Sequence, residues 1–103
     1  MIYKFRSKAA GDLVMLGPTG DQMLRLIGKQ PADKGIIEPA DMPAAIVALE
    51  KAVADDEAAR AQAAADGAPP PRDGTISLKQ RAWPLVEMLK RAQAAGKEIV
   101  WGV

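Results

Sequence analysis

Alternating apolar and polar positions predict three short strands in this chain. Residues 2–6 alternate, so Tyr3 and Phe5 share one face of a half-buried strand and basic side chains lie on the other. The apolar run at 13–16 predicts a second strand, antiparallel to the first and covered on more of both faces. A third strand is predicted at 99–101. Its expected buried face contains Ile99, Trp101 and Val103.

Apolar residues at spacings of three and four predict three helices. The helical segments are 19–28, 41–65 and 78–95. Thr19 and Gln22 have the spacing of a capping box, which predicts that the first helix begins at Thr19. In the second helix the apolar stripe fades to alanine after Val53. Residues 29–39 contain two prolines and a glycine, and they predict a loop.

Together these elements predict a small α+β protein with the order β-β-α-α-α-β. We expect an antiparallel or mixed three-stranded sheet with about three helices packed on one face, because this arrangement buries every apolar face. The strand order stays open. The 103 residues are expected to form a single domain over 1–103. Segment 54–75, rich in alanine and then proline, has little apolar area to bury and is expected to project or to be mobile.

Composition narrows the chemistry that the chain can perform. It has no cysteine and no histidine, which excludes disulfides, thiolate zinc sites, iron–sulfur clusters and imidazole general bases. No catalytic residue, metal ligand or cofactor site is predicted, so the sequence argues against an enzyme. The beginning of the chain lacks the apolar run of a signal peptide, and no segment is apolar over the length needed to span a bilayer. The expected location is the cytoplasm, with no membrane partner.

A row of basic residues along the first strand is one candidate site. Lys4, Arg6 and Lys8 follow one another at every second position, as the nucleic-acid-binding face of a sheet would require. Against this, the charges of 14 basic and 13 acidic residues nearly cancel, so the chain has no strongly positive net charge. It also has only four aromatic residues on which bases could stack. The alternative is a solvated sheet face whose lysines discourage edge pairing.

The turn at 17–21 is a second candidate site. It lies between a predicted strand and a predicted helix, where the backbone amides of Thr19 and Gly20 would be placed to bind a phosphate or a carboxylate. The segment lacks the glycine spacing and the lysine of a phosphate-binding loop, and Asp21 would repel an anion. The alternative is an ordinary capped start of a helix.

Several segments also carry a resemblance to a known family. They are Met1-Ile2-Tyr3-Lys4-Phe5, Gly17-Pro18-Thr19-Gly20-Asp21-Gln22, Gly35-Ile36-Ile37-Glu38-Pro39, Arg81-Ala82-Trp83-Pro84-Leu85-Val86 and Val100-Trp101-Gly102-Val103. The chain resembles the uncharacterised family called domain of unknown function 1840, short cytoplasmic proteins of proteobacteria. The resemblance implies no activity, cofactor or catalytic residue, so it transfers no site to this chain.

These observations favour a non-enzymatic binding or regulatory module that acts through contacts with a protein partner. The first alternative is a nucleic-acid-associated protein that uses Lys4, Arg6 and Lys8. The second alternative is a small-ligand or anion-binding protein, or an enzyme, that uses the turn at 17–21. The sequence predicts neither the identity of the partner nor the oligomeric state.

Overall fold

The structure, a computed structural model, describes residues 2–67 and 78–102. Within these residues the chain forms four strands, three α-helices and a 3₁₀ helix. The strands are β1 (Ile2–Ser7), β2 (Ala10–Leu16), β3 (Gly35–Ile37) and β4 (Ile99–Trp101). The helices are α1 (Gly17–Leu26), α2 (Met42–Ala65), α3 (Leu78–Ala95) and the 3₁₀ turn Pro39–Asp41 before α2. The strands form one antiparallel sheet in the order β2-β1-β4-β3.

The α+β class is confirmed, but the predicted number of strands is wrong. The described part of the chain has four strands, because β3 forms where the sequence predicted a loop over 29–39. Three residues are too few to show an alternating pattern, and a glycine such as Gly35 favours a loop or a turn over a strand. In the sheet Gly35 pairs with Trp101. A Cβ atom on residue 35 would overlap the tryptophan ring. Its missing side chain is therefore what allows the strand to pair at this position.

The predicted capping box is also wrong. Helix α1 begins at Gly17, with Pro18 in its first turn, and no side chain caps the helix start. Proline suits this position because its fixed φ is helical and its missing N–H would have no partner there. Gln22 has a different role: its Oε1 accepts a hydrogen bond of 3.2 Å from Arg81 Nη1 of α3. The side chain therefore links two helices.

A row of aromatic rings forms the centre of the core on the covered face of the sheet. The rings of Tyr3 and Phe5 stack with centroids 5.9 Å apart, and Phe5 meets Trp101 edge-on at 5.8 Å. The indole N–H of Trp101 donates to the carbonyl of Ala32 at 3.0 Å. Ile99 and Trp101 are buried, as predicted, whereas Val103 lies outside the described residues.

The helices cover this face in a layer in which α3 packs on β2 and α2 packs along α3. The first half of α2 contributes to the core through Met42, Ala45, Ile46 and Leu49. None of residues 54–67 is buried. The rest of the predicted projecting or mobile segment, 68–75, lies outside the described residues. Neither the mobility of this segment nor the single-domain organisation is tested, and both stay predictions.

Replacing Gly20 with alanine is expected to lower the free energy of unfolding by about 1–3 kcal/mol, although alanine is the better helix former. Gly20 lies in α1 against the buried ring of Tyr3, and an added Cβ would overlap that ring. Chemical denaturation measures the loss. Gly11→Ala is the matched control, because nothing lies within 4 Å of a Cβ at that position. Equal stability of Gly20→Ala and the wild-type protein would show that the ring is not held against α1.

Candidate interaction site

The second face of the sheet is open to solvent. Tyr3, Phe5 and Met15 point towards the helices, so the alternate residues of β1 and β2 point away from them. The residues on this open face are Ile2, Lys4 and Arg6 from β1 and Asp12, Val14 and Leu16 from β2. Open faces of antiparallel sheets usually carry polar side chains. Half of these six residues are apolar, which makes the face unusual.

The apolar residues that β1 and β2 contribute to this face form one cluster, here called the apolar patch: Ile2, Val14 and Leu16. They are 63%, 58% and 68% exposed, respectively. Ile2 lies directly opposite Leu16 in the β1–β2 register, and Val14 lies two residues along the same face. The prediction that the second strand is covered on more of both faces is wrong at Val14 and Leu16. A short apolar run does not distinguish a covered strand from one with an exposed apolar face.

The patch continues to an edge of the sheet. β2 is one of the two edge strands of the sheet, and within residues 2–67 and 78–102 no strand pairs with its outer side. The seven residues of β2 include neither lysine nor proline, the residues that commonly block pairing at an edge. Lys4 and Arg6 lie on β1, an inner strand, and therefore do not protect the edge as the sequence analysis suggested. β2 thus combines a strand edge open to pairing with exposed apolar side chains.

The predicted basic row is brought together on the open face, but it is partly neutralised. Asp12 of β2 lies 3.5 Å from Lys4 Nζ and 3.8 Å from Arg6 Nε. Lys8, in the turn after β1, lines a shallow hollow of about 230 Å³ together with Arg6, Asp12 and Glu98. Two carboxylates therefore accompany the three cations. The sequence did not reveal this, because the register of β1 and β2 brings Asp12 opposite the row.

The predicted anion site has a different geometry from the turn that the sequence suggested. Thr19 and Gly20 lie inside the first turn of α1, and Gly20 is buried against Tyr3. The next residue, Asp21, accepts a hydrogen bond from the Tyr3 hydroxyl. This hydrogen bond and the burial of the ring raise the pKa of Tyr3 to about 12. An anion at Thr19 and Gly20 stays a prediction, and the neighbouring Asp21 carboxylate disfavours it.

Comparison with protein families agrees with the resemblance seen in the sequence. A family model described as domain of unknown function (DUF1840) matches residues 1–101. The chain belongs to this family. A search of curated proteins and a search of solved structures found no match. The description of the DUF1840 family names no activity, so the function of this member has to be inferred from its surfaces.

The described residues of this DUF1840 protein contain neither a cluster of possible metal ligands nor a membrane-spanning helix. Over 2–67 and 78–102, no three carboxylate-bearing residues are grouped so that they could hold a metal ion. No helix in the same ranges is long and apolar enough to cross a bilayer. The feature of the described surface that stands out from an ordinary solvated sheet is the apolar patch beside the outer edge of β2.

Proposed function

We propose that this DUF1840 protein is a non-enzymatic binding module that acts through protein–protein contacts at β2. The observation that carries the proposal is the apolar patch of Ile2, Val14 and Leu16 next to a strand edge with which no described strand pairs. Exposed apolar groups of this kind, surrounded by polar residues, are typical of interaction sites. The charged neighbours on this face, Lys4 and Arg6, supply the polar surroundings.

The partner that fits this surface is an extended segment of another protein that adds to the sheet as a strand. The outer side of β2 supplies backbone N–H and C=O groups over seven residues, enough for a ladder of hydrogen bonds. Side chains of an added strand alternate between two faces. Those on the open face would lie beside Val14 and Leu16 and are therefore expected to be apolar. The sequence preference of the partner is an apolar residue at every second position.

The open face is less suited to nucleic acid than to protein. Single-stranded nucleic acids bind to sheets mainly by stacking bases on exposed aromatic rings, together with basic side chains. In this sheet Tyr3, Phe5 and Trp101 all lie on the covered face and are buried. Asp12 lies between Lys4 and Arg6. The basic row keeps the nucleic-acid alternative as an outcome of the test below, but the apolar patch favours a protein partner.

Selection of peptides from a displayed random library by the purified protein tests the proposal. We expect the enriched peptides to alternate apolar residues and to slow the hydrogen exchange of β2 amides when bound. Leu16→Lys places a charge in the apolar patch and is expected to weaken the affinity about 10-fold or more. Val47→Lys is the matched control, because Val47 is equally exposed but lies on α2.

Two results would contradict the proposal. One is a library that yields no peptide, or peptides that bind Leu16→Lys as tightly as the wild-type protein. The other is tight, salt-dependent binding of a single-stranded oligonucleotide that Leu16→Lys retains or strengthens and Lys4→Ala weakens. The second result would support the nucleic-acid alternative, because an added lysine favours a polyanion and disfavours an apolar peptide.

A further inference from the structure

A second unusual surface lies on the far side of the molecule, where α2 and α3 run side by side. Trp83 of α3 is 50% exposed there. A groove of about 230 Å³ runs beside it between the two helices, with Val53, Ala54 and Val86 among its lining residues. A second hollow of about 330 Å³ borders Trp83 together with Gln80 and Pro84. A half-exposed tryptophan next to such hollows is typical of an anchor residue in an interface.

Two ion pairs between the helices flank this groove. Lys79 Nζ lies 4.0 Å from Glu57 Oε1, and Lys90 Nζ lies 3.9 Å from Glu50 Oε2. Lys90 Nζ also lies 5.8 Å from the centroid of the Trp83 ring. In both pairs the carboxylate is on α2 and the ammonium group is on α3. The two pairs therefore give this surface an acidic side, a basic side and an apolar centre, and here it is called the α2–α3 face.

This distribution of charge makes the α2–α3 face complementary to itself. If the two-fold axis of a dimer ran parallel to the helices, α2 of the second copy would pack on α3 of the first. Rotation about such an axis does not move a residue along the helix direction, so each residue would keep its height along the helices. Because Glu57 is level with Lys79, Glu57 of the partner subunit would meet Lys79. Trp83 would then lie over the small residues of the partner's groove. A two-fold axis perpendicular to the helices would instead bring α2 onto α2, with carboxylate against carboxylate.

We propose that two copies of this chain associate through the α2–α3 face, with Trp83 as the anchor and the two-fold axis parallel to the helices. The contact is small. Two helices are about 20 Å wide, and Lys79 and Lys90 lie about 16 Å apart along the helix, so the dimer is at the weak end of protein interfaces. The two open sheet faces remain uncovered in this dimer. The proposal is therefore independent of the function proposed for β2.

An exchange of charges tests this geometry directly. Sedimentation of the wild-type protein between about 10 µM and 1 mM is expected to show a monomer–dimer equilibrium. Lys79→Glu and Glu57→Lys, each alone, place like charges across the dimer interface and are expected to raise the dissociation constant about 10-fold. An equimolar mixture of the two variants is expected to dimerise nearly as well as the wild-type protein, since each contact in the mixed dimer again joins opposite charges.

The mixture of the two variants distinguishes a contact between two chains from a structural role of the ion pair within one chain. Within one chain either variant loses its pairing between residues 57 and 79, and mixing cannot restore that pairing. Trp83→Ala is expected to abolish the dimer while circular dichroism stays unchanged, and Leu16→Lys on the open sheet face is the control that keeps it. A wild-type protein that stays monomeric at the highest concentration would overturn the proposal. A mixture that associates no better than its separate variants would overturn it as well.

Discussion

Replacing Trp101 with alanine is expected to lower the free energy of unfolding by about 3–5 kcal/mol, the range of large-to-small substitutions in well-packed cores. The side chain is 3% exposed and contacts Phe5 edge-on. Gly35 approaches the ring so closely that it leaves no room for a Cβ. The substitution also leaves the carbonyl of Ala32 without its indole donor. Because a domain of this size has about 5–15 kcal/mol of stability, this loss is a large fraction of the total, and urea denaturation should show a much lower midpoint for the variant.

The chain contains its own control for this experiment. Trp83→Ala removes the same type of side chain, but Trp83 is half-exposed on α3, so the expected loss at dilute concentration is about 1 kcal/mol or less. The two variants also separate the fluorescence of the two tryptophans. If Trp101→Ala unfolded at the same urea concentration as Trp83→Ala, the covered face of the sheet would not have the packing described above.

Periodicity identified the elements that repeat often enough to show a pattern. The predicted ranges 41–65 and 78–95 closely match α2 and α3, because each helix has several apolar residues at helical spacing. The inward direction of Tyr3, Phe5 and Trp101 followed from alternation along β1 and β4. These features depend on residues close together in sequence, and sequence reasoning is strongest there.

Features that depend on residues distant in sequence were missed. The strand at 35–37 is held by pairing with β4, more than 60 residues later, and three residues carry no periodicity of their own. Asp21 and Gln22 seemed to belong to a helix start, but they contact Tyr3 and Arg81. A local pattern cannot indicate such partners, since the same polar side chain can cap a helix or reach across the fold.

The candidate site was predictable only in part. The sequence placed Lys4 and Arg6 on the solvent face of the first strand, and the structure has them there. The sequence did contain one indication of the apolar patch. Ile2 lies on the same face of the first strand as Lys4 and Arg6, so an apolar side chain was expected among the exposed ones. Pairing the two strands as a hairpin would have placed Leu16 opposite Ile2, as in the observed register. The groove beside Trp83 gave no such signal, because it depends on how α2 and α3 pack.

Raising the pH from 10 to 12 is expected to destabilise the folded protein through Tyr3. The hydroxyl donates to Asp21 and the ring is buried, and together these raise the pKa of Tyr3 from 10.0 to about 12. Between these values the unfolded chain has lost the phenolic proton and the folded chain still holds it. Stability therefore falls as the pH rises. The contribution is fully present below pH 10, and two pKa units correspond to about 2–3 kcal/mol lost by pH 12.

Tyr3 is the only tyrosine of the chain, so the absorbance of tyrosinate reports its ionisation directly in the folded protein. Tyr3→Phe is the matched control, since it keeps the ring and removes the ionisable group. All other ionisable groups are the same in both proteins, so the difference between their denaturation curves isolates the contribution of Tyr3. We expect the wild-type protein to lose more stability than Tyr3→Phe between pH 10 and 12. Parallel losses in the two proteins, or a tyrosinate transition near pH 10 in the folded state, would show that Asp21 does not hold the hydroxyl.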